Sequence, residues 1–163
     1  EIELPDHSRQ YPDITVKIGN YMFAIDIKTT RLEGRNRVSG FTLGPYTGYF
    51  LHPNASHRRI KYPYARYDEH IIVGIIYDWD EKAPTEEMVR VIDIIVHPKW
   101  KIASRVTGTG TTRHIRSITN LDRLRRGQGD FNSREEFERY WRERGREFEE
   151  QRRRRSRRRI TRR

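Results

Sequence analysis

The stretch YPDITVKIGNYMFAIDIKTT, residues 11–30, contains two runs of β-branched and aromatic residues that are separated by Gly19-Asn20. Two such runs around a two-residue glycine-containing loop are typical of a β-hairpin. Counting outward from that loop, Asp13 falls opposite Asp26. The stretch therefore predicts two carboxylates side by side across an antiparallel pair of strands.

The same register predicts where the neighbouring side chains point. Like charges that face each other across a ladder destabilise the sheet, so a cation is expected beside them. Alternation along the strand places Lys28 on the same face as Asp26 and directs Ile25 and Ile27 to the opposite face, which we expect to be the core side. The hairpin face thus carries two acids and one amine.

Two carboxylates at this separation are suited to a hard divalent cation. Mg²⁺ takes one or two carboxylates together with waters and phosphate oxygens. A metal held by Asp13 and Asp26 would activate a bound water and stabilise charge on a reacting phosphate, while Lys28 would orient or deprotonate that water. The alternative is a charge pair at a sheet edge, because an Asp-x-Lys triplet on a strand is common. The hairpin alone leaves both interpretations open.

The composition limits the class of protein. A length of 163 residues suits one domain, and 34% hydrophobic residues allow a modest core. The chain has no Cys, which excludes a disulfide framework and a zinc-thiolate site and favours a reducing cytoplasm. The apolar runs are too short to cross a bilayer, so no membrane is expected among its partners. The 6 His residues show no metal-ligand spacing.

The net charge of +11 is unevenly distributed. Residues 1–100 contain 13 Lys+Arg and 14 Asp+Glu, whereas residues 101–163 contain 21 and 9. The segment QRRRRSRRRITRR, residues 151–163, contains 9 Arg and no acid. We predict that this segment is a disordered, arginine-rich tail. It is either an electrostatic handle for polyphosphate or a solvated tail without a specific partner.

Hydrophobic patterns predict the remaining elements. The continuous apolar run at residues 69–79 is typical of a buried central strand, and the alternating run at residues 88–97 is expected to be its neighbour. Residues 41–54 favour a short helix. A capping pair and an aromatic stripe predict a long helix over residues 133–150. Together these features predict an α/β (α+β mixed sheet) domain over residues 1–150, with a central mixed sheet flanked by helices.

The stretch TGTGTTRHIRS, residues 107–117, contains a second candidate site. Gly108 and Gly110 allow a close backbone approach, and Arg113 and His114 add donors to those of the threonines. Taken alone, the stretch is an ordinary turn. Beside a nuclease site, the same donors favour contacts to base edges in a DNA groove.

With both stretches considered, the sequence resembles type II restriction endonucleases of the EcoRV family. The similarity is collinear over most of the chain. The motifs that carry it are YPD at 11–13, AIDIKTT at 24–30, FTLG at 41–44, KW-IA at 99–103, the glycine-threonine loop at 108–112, and F-S-EEF--YWR at 131–142. The Pro-Asp and Asp-x-Lys motifs are general to the wider nuclease superfamily, whereas the loop and the helix are specific to this branch.

The resemblance implies a homodimeric, Mg²⁺-dependent enzyme with a restriction-endonuclease-like core. Such an enzyme cuts both strands of a palindromic double-stranded DNA site and leaves blunt ends with 5′-phosphates. Asp13 and Asp26 are implied as metal ligands, together with the carbonyl of Ile27, and Lys28 is implied as the catalytic lysine. A cognate DNA methyltransferase and a prokaryotic cytoplasm are the implied genetic partner and location.

The resemblance also implies several DNA contacts. They are Ser8 and Arg9 in a minor-groove loop, Thr29 and Thr30 beside the central bases, Thr42 in the FTLG motif, and Gly108, Thr109, Gly110, Thr111, Thr112, Arg113 and His114 in the major-groove loop. The chain departs from the family at Thr111, where the family has an asparagine. The sequence begins at Glu1, and we expect the N-terminal helices of the family, which contribute dimer contacts and a third acid, to lie outside it.

Two other functions remain compatible with parts of the sequence. The charge gradient favours a non-catalytic, basic nucleic-acid-binding module on a nuclease fold. A nuclease fold that serves only as a structural partner is the third hypothesis, and the complete acid-acid-lysine set argues against it.

Overall fold

The computed structural model describes residues 1–108 and 113–160, and for residues 157–160 only the backbone. Within these residues, a mixed sheet of six strands packs beside an antiparallel sheet of three. The strands are β1 (Ile2–Glu3), β2 (Ile14–Ile18), β3 (Tyr21–Gly34), β4 (Arg37–Val38), β5 (Thr42–Pro45), β6 (Glu69–Trp79), β7 (Val89–Pro98), β8 (Ala103–Thr107) and β9 (His114–Ser117). The helices are α1 (Tyr46–Tyr49), α2 (Lys99–Ile102), α3 (Leu121–Arg125) and α4 (Arg134–Ile160).

The predicted hairpin is formed by β2 and β3. These strands pair antiparallel, with Ile18 opposite Tyr21 and Ile14 opposite Ile25, which confirms the predicted register. Gly19 in the turn has a φ of 58°, a conformation that glycine adopts without steric strain. Asp13 directly precedes β2, so the continued register brings it next to the middle of β3.

The large sheet has the strand order β1-β2-β3-β6-β7, with β4 paired to β3. The strand β6 runs parallel to β3 and antiparallel to β7, which makes the sheet mixed, as the sequence predicts. The strands predicted at residues 69–79 and 88–97 are confirmed as β6 and β7. Gly74 in β6 is required by close packing, because a Cβ there would lie 2.6 Å from the ring of Phe41.

The core lies on the face of the sheet that carries the acids. On β3, Ala24, Asp26 and Thr30 are buried, whereas Ile27 is 42% exposed. The prediction that Ile25 and Ile27 point into the core is therefore wrong. The local pattern is ambiguous because both faces of β3 carry apolar residues, and tertiary packing decides which face is covered.

The second sheet has the order β5-β9-β8 and packs against the covered face of the large sheet. The core that the two sheets share with the helices is mostly aliphatic and aromatic. Its fully buried side chains include Phe41, Leu43, Ile72, Ile76, Ile102, Ile115, Leu124, Phe137 and Trp141. The short helix α1 lies within the segment where a helix is predicted, at residues 41–54.

The helix α4 begins where the sequence predicts and extends further. The amide of Glu136 donates to the hydroxyl oxygen of Ser133 (3.1 Å), as expected for an N-cap. The sequence predicts disorder from residue 151 onward. The structure instead continues the helix to Ile160, so residues 151–160 are helical. Glu149 and Glu150 form ion pairs with arginines four residues later, a spacing that supports helices. The domain boundary at residue 150 stays a prediction.

Membrane insertion of a helix has no support in the described ranges. No helix within residues 1–108 or 113–160 has the length and apolarity needed to cross a membrane.

Candidate active site

The first acid of the candidate site is held by the backbone of the opposite strand. Asp13, which directly precedes β2, is half-buried. Its Oδ2 accepts a hydrogen bond from the amide of Ile27 at 2.7 Å. The hairpin register thus fixes the Asp13 carboxylate beside β3.

The second acid is almost completely buried. Asp26 is 5% exposed, and its Oδ1 accepts a hydrogen bond from Nζ of Lys28 at 2.8 Å. Burial raises the pKa of Asp26, while the positive charges of Lys99 and Lys28 lower it and a hydrogen bond with Asp13 raises it again. Two neighbouring carboxyls of this kind gain from a bound cation, which relieves their mutual repulsion.

The donor set fits a hard divalent cation with open coordination positions. Within the described residues, no group of three or more His, Cys, Asp or Glu side chains is placed to hold a metal. Two carboxylates with an amine beside them suit Mg²⁺, which keeps waters and takes phosphate oxygens as further ligands. The side chain of Lys28 is 30% exposed, so its amine can also reach a molecule bound at the site.

Behind the acids lies a buried polar cluster that the sequence analysis missed. Lys99, which is 1% exposed, donates to the hydroxyl of Tyr11 at 3.1 Å. The same hydroxyl lies 2.7 Å from Nδ1 of His70. These residues are far apart in sequence, and no local pattern relates them. Two of the motifs that carry the resemblance, YPD with Tyr11 and KW-IA with Lys99, contribute to this cluster, but neither motif by itself shows that the two residues meet.

The candidate DNA contacts before and after the hairpin differ in exposure. Ser8 and Arg9 are exposed in the loop that leads to the hairpin, and Arg9 has a φ of 66°. Thr29 is exposed, whereas Thr30 is 3% exposed. The hydroxyl of Thr30 is buried without a hydrogen-bond partner in the described residues. The position of Thr30 favours a role in packing over a direct DNA contact.

The glycine-threonine loop connects β8 to β9. Its ends are joined by a hydrogen bond from the amide of Gly108 to the carbonyl of His114 at 2.8 Å. The guanidinium of Arg113 lies over the ring of Phe148 on α4, 5.4 Å from its centroid. Thr42 is exposed on β5, opposite Arg116 of β9. Thr109, Gly110, Thr111 and Thr112 lie outside the described residues.

The β5-α1 segment links this loop to the acids. The amide of Tyr46 donates to the carbonyl of Arg113 at 2.9 Å. One turn later, the ring centroid of Tyr49 lies 5.1 Å from that of Tyr11. Tyr11 is two residues before Asp13. The loop and the acids are therefore joined by one short, packed segment.

The fold and the site together define a class of protein. A mixed sheet flanked by helices, with two acids and a lysine on one hairpin, is the arrangement of the restriction-endonuclease-like fold. Comparison with known proteins then identifies the family. The family model described as "Restriction endonuclease EcoRV" matches residues 1–162, and this chain belongs to that family. The predicted resemblance and fold class are thereby confirmed.

A curated relative agrees with this assignment. The type II restriction enzyme EcoRV of Escherichia coli is 32% identical to the chain over 158 residues. The match covers 86% of this chain and 63% of the relative. The chain thus spans less than two thirds of the length of that enzyme.

Proposed function

We propose that the chain is the DNA-cleaving part of a Mg²⁺-dependent type II restriction endonuclease. Its substrate is a palindromic double-stranded DNA site, both strands of which are hydrolysed to blunt ends with 5′-phosphates. The single observation that carries this proposal is the meeting of Asp13 and Asp26 across the hairpin, with Lys28 hydrogen-bonded to Asp26. Membership of the EcoRV family supports it.

The roles of the site residues follow from their positions. Asp13 and Asp26 would hold the metal together with the carbonyl of Ile27, and the bound ion would activate water and stabilise charge on the phosphate. The amide of Ile27 holds the Asp13 carboxylate in place. Lys28 would orient or deprotonate the attacking water, and its hydrogen bond to Asp26 and its partial exposure support this role.

The DNA contacts and partners in the proposal come from the family. The loop around Gly108, Arg113 and His114 would enter the major groove, and Ser8 and Arg9 would lie at the minor groove. A homodimer suits a palindromic site, because two-fold symmetry of the protein then matches that of the DNA. A cognate methyltransferase and a prokaryotic cytoplasm complete the proposal.

Cleavage of plasmid DNA tests this function. The 163-residue chain is incubated with supercoiled plasmid in Mg²⁺, and a parallel sample contains EDTA. We expect discrete fragments with Mg²⁺ and intact plasmid with EDTA. Sequencing the fragment ends would then reveal the recognition site and whether the ends are blunt. Intact plasmid with every divalent ion would exclude the proposal.

A second candidate function is a non-catalytic, basic nucleic-acid-binding module. The observation that favours it is the concentration of arginine along the end of α4. Such a module would bind any duplex with a steep dependence on salt and no preference for sequence. Equal competition of a labelled palindrome by random duplex in Ca²⁺ would favour this function over a site-specific nuclease.

A further inference from the structure

A lysine is buried in an aromatic cage next to the candidate active site. Lys99 begins α2, directly after β7, and is 1% exposed. Its Nζ lies over the rings of Tyr11, Tyr49 and Tyr64, at 4.8, 6.0 and 5.8 Å from their centroids. Within the described residues, its one hydrogen bond goes to the Tyr11 hydroxyl, and no carboxylate forms an ion pair with it.

Such a lysine needs a physical explanation. Removing an ammonium group from water is costly, and buried lysines are normally paired with a carboxylate. Cation–π contacts with three rings offset part of this cost. An apolar side chain of similar length would fill the same space without the cost. Packing alone therefore does not explain a lysine at this position.

The hydrogen bonds of Lys99 form an ordered chain. An ammonium group can only donate, so the oxygen of Tyr11 accepts from Lys99 and its proton can go to Nδ1 of His70. The proton of His70 is then on Nε2, which lies 3.3 Å from the carbonyl oxygen of Tyr64. Burial lowers the pKa of His70 and raises that of Tyr11, which keeps both groups neutral. Lys99 is the charged member of this chain.

The chain passes through Tyr11, which lies two residues before the candidate metal ligand Asp13. Tyr11 is fixed through its backbone as well, since its amide donates to the carbonyl of Arg59 and its carbonyl accepts from the amide of Lys61. Only Pro12 separates Tyr11 from Asp13. A contact that fixes the Tyr11 ring thus also limits the position of the Asp13 carboxylate.

The charge of Lys99 also acts on the second acid. Burial raises the pKa of Asp26, and the positive charge of Lys99 lowers it, as do the charge and the hydrogen bond of Lys28. Burial lowers the pKa of Lys99 to about 8, and the negative charge of Asp26 acts against this lowering. The two groups therefore interact through the protein interior, where charges are screened less than at the surface.

We propose that Lys99 is a positioning residue that sets the divalent-metal affinity of the Asp13–Asp26 pair. It holds Tyr11 from the buried side and presents a fixed positive charge to Asp26. This proposal rests on the metal site of the proposed function. It assigns Lys99 two effects of opposite sign on metal binding, because its charge competes with a bound cation while its hydrogen bond keeps a ligand in place.

Calorimetric titration with Mn²⁺ at pH 7, where Lys99 is mostly charged because its pKa is about 8, separates these effects. Lys99→Met removes both the charge and the hydrogen bond to Tyr11, so the charge is tested alone in the Tyr11→Phe background, where that hydrogen bond is already absent. In this background, Lys99→Met should lower the dissociation constant for Mn²⁺ on the order of fivefold. Tyr11→Phe keeps the charge but breaks the hydrogen-bonded chain, and the dissociation constant should rise on the order of fivefold. Lys101→Met is the matched control, because Lys101 is exposed two residues further along and should change the affinity less than about twofold.

Thermal unfolding distinguishes these effects from a loss of structure. Replacing a buried charge by an apolar side chain is often neutral or stabilising, so Lys99→Met should unfold at or above the wild-type temperature. Weaker or unchanged Mn²⁺ binding by the folded Tyr11→Phe, Lys99→Met double variant, compared with Tyr11→Phe, would overturn the inference. If that variant does not fold, unchanged binding by Tyr11→Phe overturns it instead.

The wild-type chain and Asp26→Asn separate this inference from the proposed function. Wild-type binding that Asp26→Asn abolishes supports the metal site, and the response to Lys99→Met in the Tyr11→Phe background then decides the inference alone. Absence of Mn²⁺ binding by the wild-type chain would overturn both.

Discussion

The β2-β3 hairpin and the end of α4 carry charge in two different ways. In the hairpin, Asp26 is buried and hydrogen-bonded to Lys28, and Asp13 is held by the backbone amide of Ile27. On α4, residues 151–156 are all exposed, and the ion pairs of this part of the helix connect only residues four apart. The hairpin holds a few charges in place by burial and hydrogen bonds, whereas the helix presents many charges on exposed side chains.

This difference indicates a division of labour. Catalysis depends on charges that are already in place before the reaction, because no energy is then needed to arrange them. Attraction of a polyphosphate depends mainly on the number of charges near it. We therefore expect substitutions in the hairpin to change the cleavage rate and substitutions on α4 to change affinity.

The largest effect is expected for Asp26→Asn. The substitution keeps the shape of the side chain and removes the charge that would bind the metal, so cleavage should slow by on the order of 10² or more. Duplex binding should change little. The measurement is the single-turnover cleavage rate in Mg²⁺, with exposed Asp80→Asn as the matched control. If Asp26→Asn cleaves at the wild-type rate, the hairpin acids are not the catalytic metal site.

The second-largest effect on the cleavage rate is expected for Lys28→Ala. Lys28 is proposed to orient or deprotonate the attacking water, so loss of its amine should slow cleavage by about 10². Divalent-ion binding should persist or tighten, because a competing positive charge leaves Asp26. Calorimetric titration with Mn²⁺ measures this. Loss of metal binding in Lys28→Ala would contradict the assigned roles.

The hairpin is also where the sequence predicts most. The loop Gly19-Asn20 and the run lengths determine the register, and with it the meeting of Asp13 and Asp26. The covered face of β3 could not be predicted, because Ile25 and Ile27 are as apolar as the residues of a core face. Lys99 could not be found either, since its cage joins residues that are distant in sequence. These features depend on packing and not on local pattern.

At the base of the glycine-threonine loop, a smaller effect on sequence discrimination is expected. Arg113→Ala should reduce discrimination between the cognate site and its one-base variants by roughly 1 to 3 kcal/mol if the side chain reads a base edge. Thr111→Ala should act in the same direction. The dependence of binding on salt should change little. The measurement is cleavage of the cognate site and every one-base variant, and an unchanged ranking of sites would exclude a reading role.

The smallest effect is expected on α4. Joint replacement Arg152→Gln and Arg155→Gln removes two charges that form no ion pair in the described residues, and should weaken binding to cognate and random duplex by similar factors. For each phosphate that the variant no longer neutralises, the slope of log affinity against log salt should flatten by roughly 0.9. The matched control is Lys82→Gln with Arg35→Gln, two exposed cations elsewhere on the surface that also form no ion pair in the described residues. If the α4 variant changed the order in which the cognate site and its one-base variants are cleaved, α4 would contribute to sequence discrimination, contrary to the proposed division of labour.

The helical form of residues 151–160 illustrates a second limit of the sequence. Arginine has good helix propensity, but a run of like charges predicts repulsion and disorder equally well. Glu149 and Glu150 support a helix at the start of the run, because they pair with Arg153 and Arg154, four residues later.

The proposal that Asp13 and Asp26 act as one metal-dependent unit is tested most directly by a double-mutant cycle. Single-turnover cleavage in Mg²⁺ is measured for the wild-type chain, Asp13→Asn, Asp26→Asn and the double variant. Residues that act as a unit are strongly non-additive, so the double variant should cleave about as slowly as either single variant. Losses that multiply in the double variant, or single variants that cleave at the wild-type rate, would contradict a shared catalytic site.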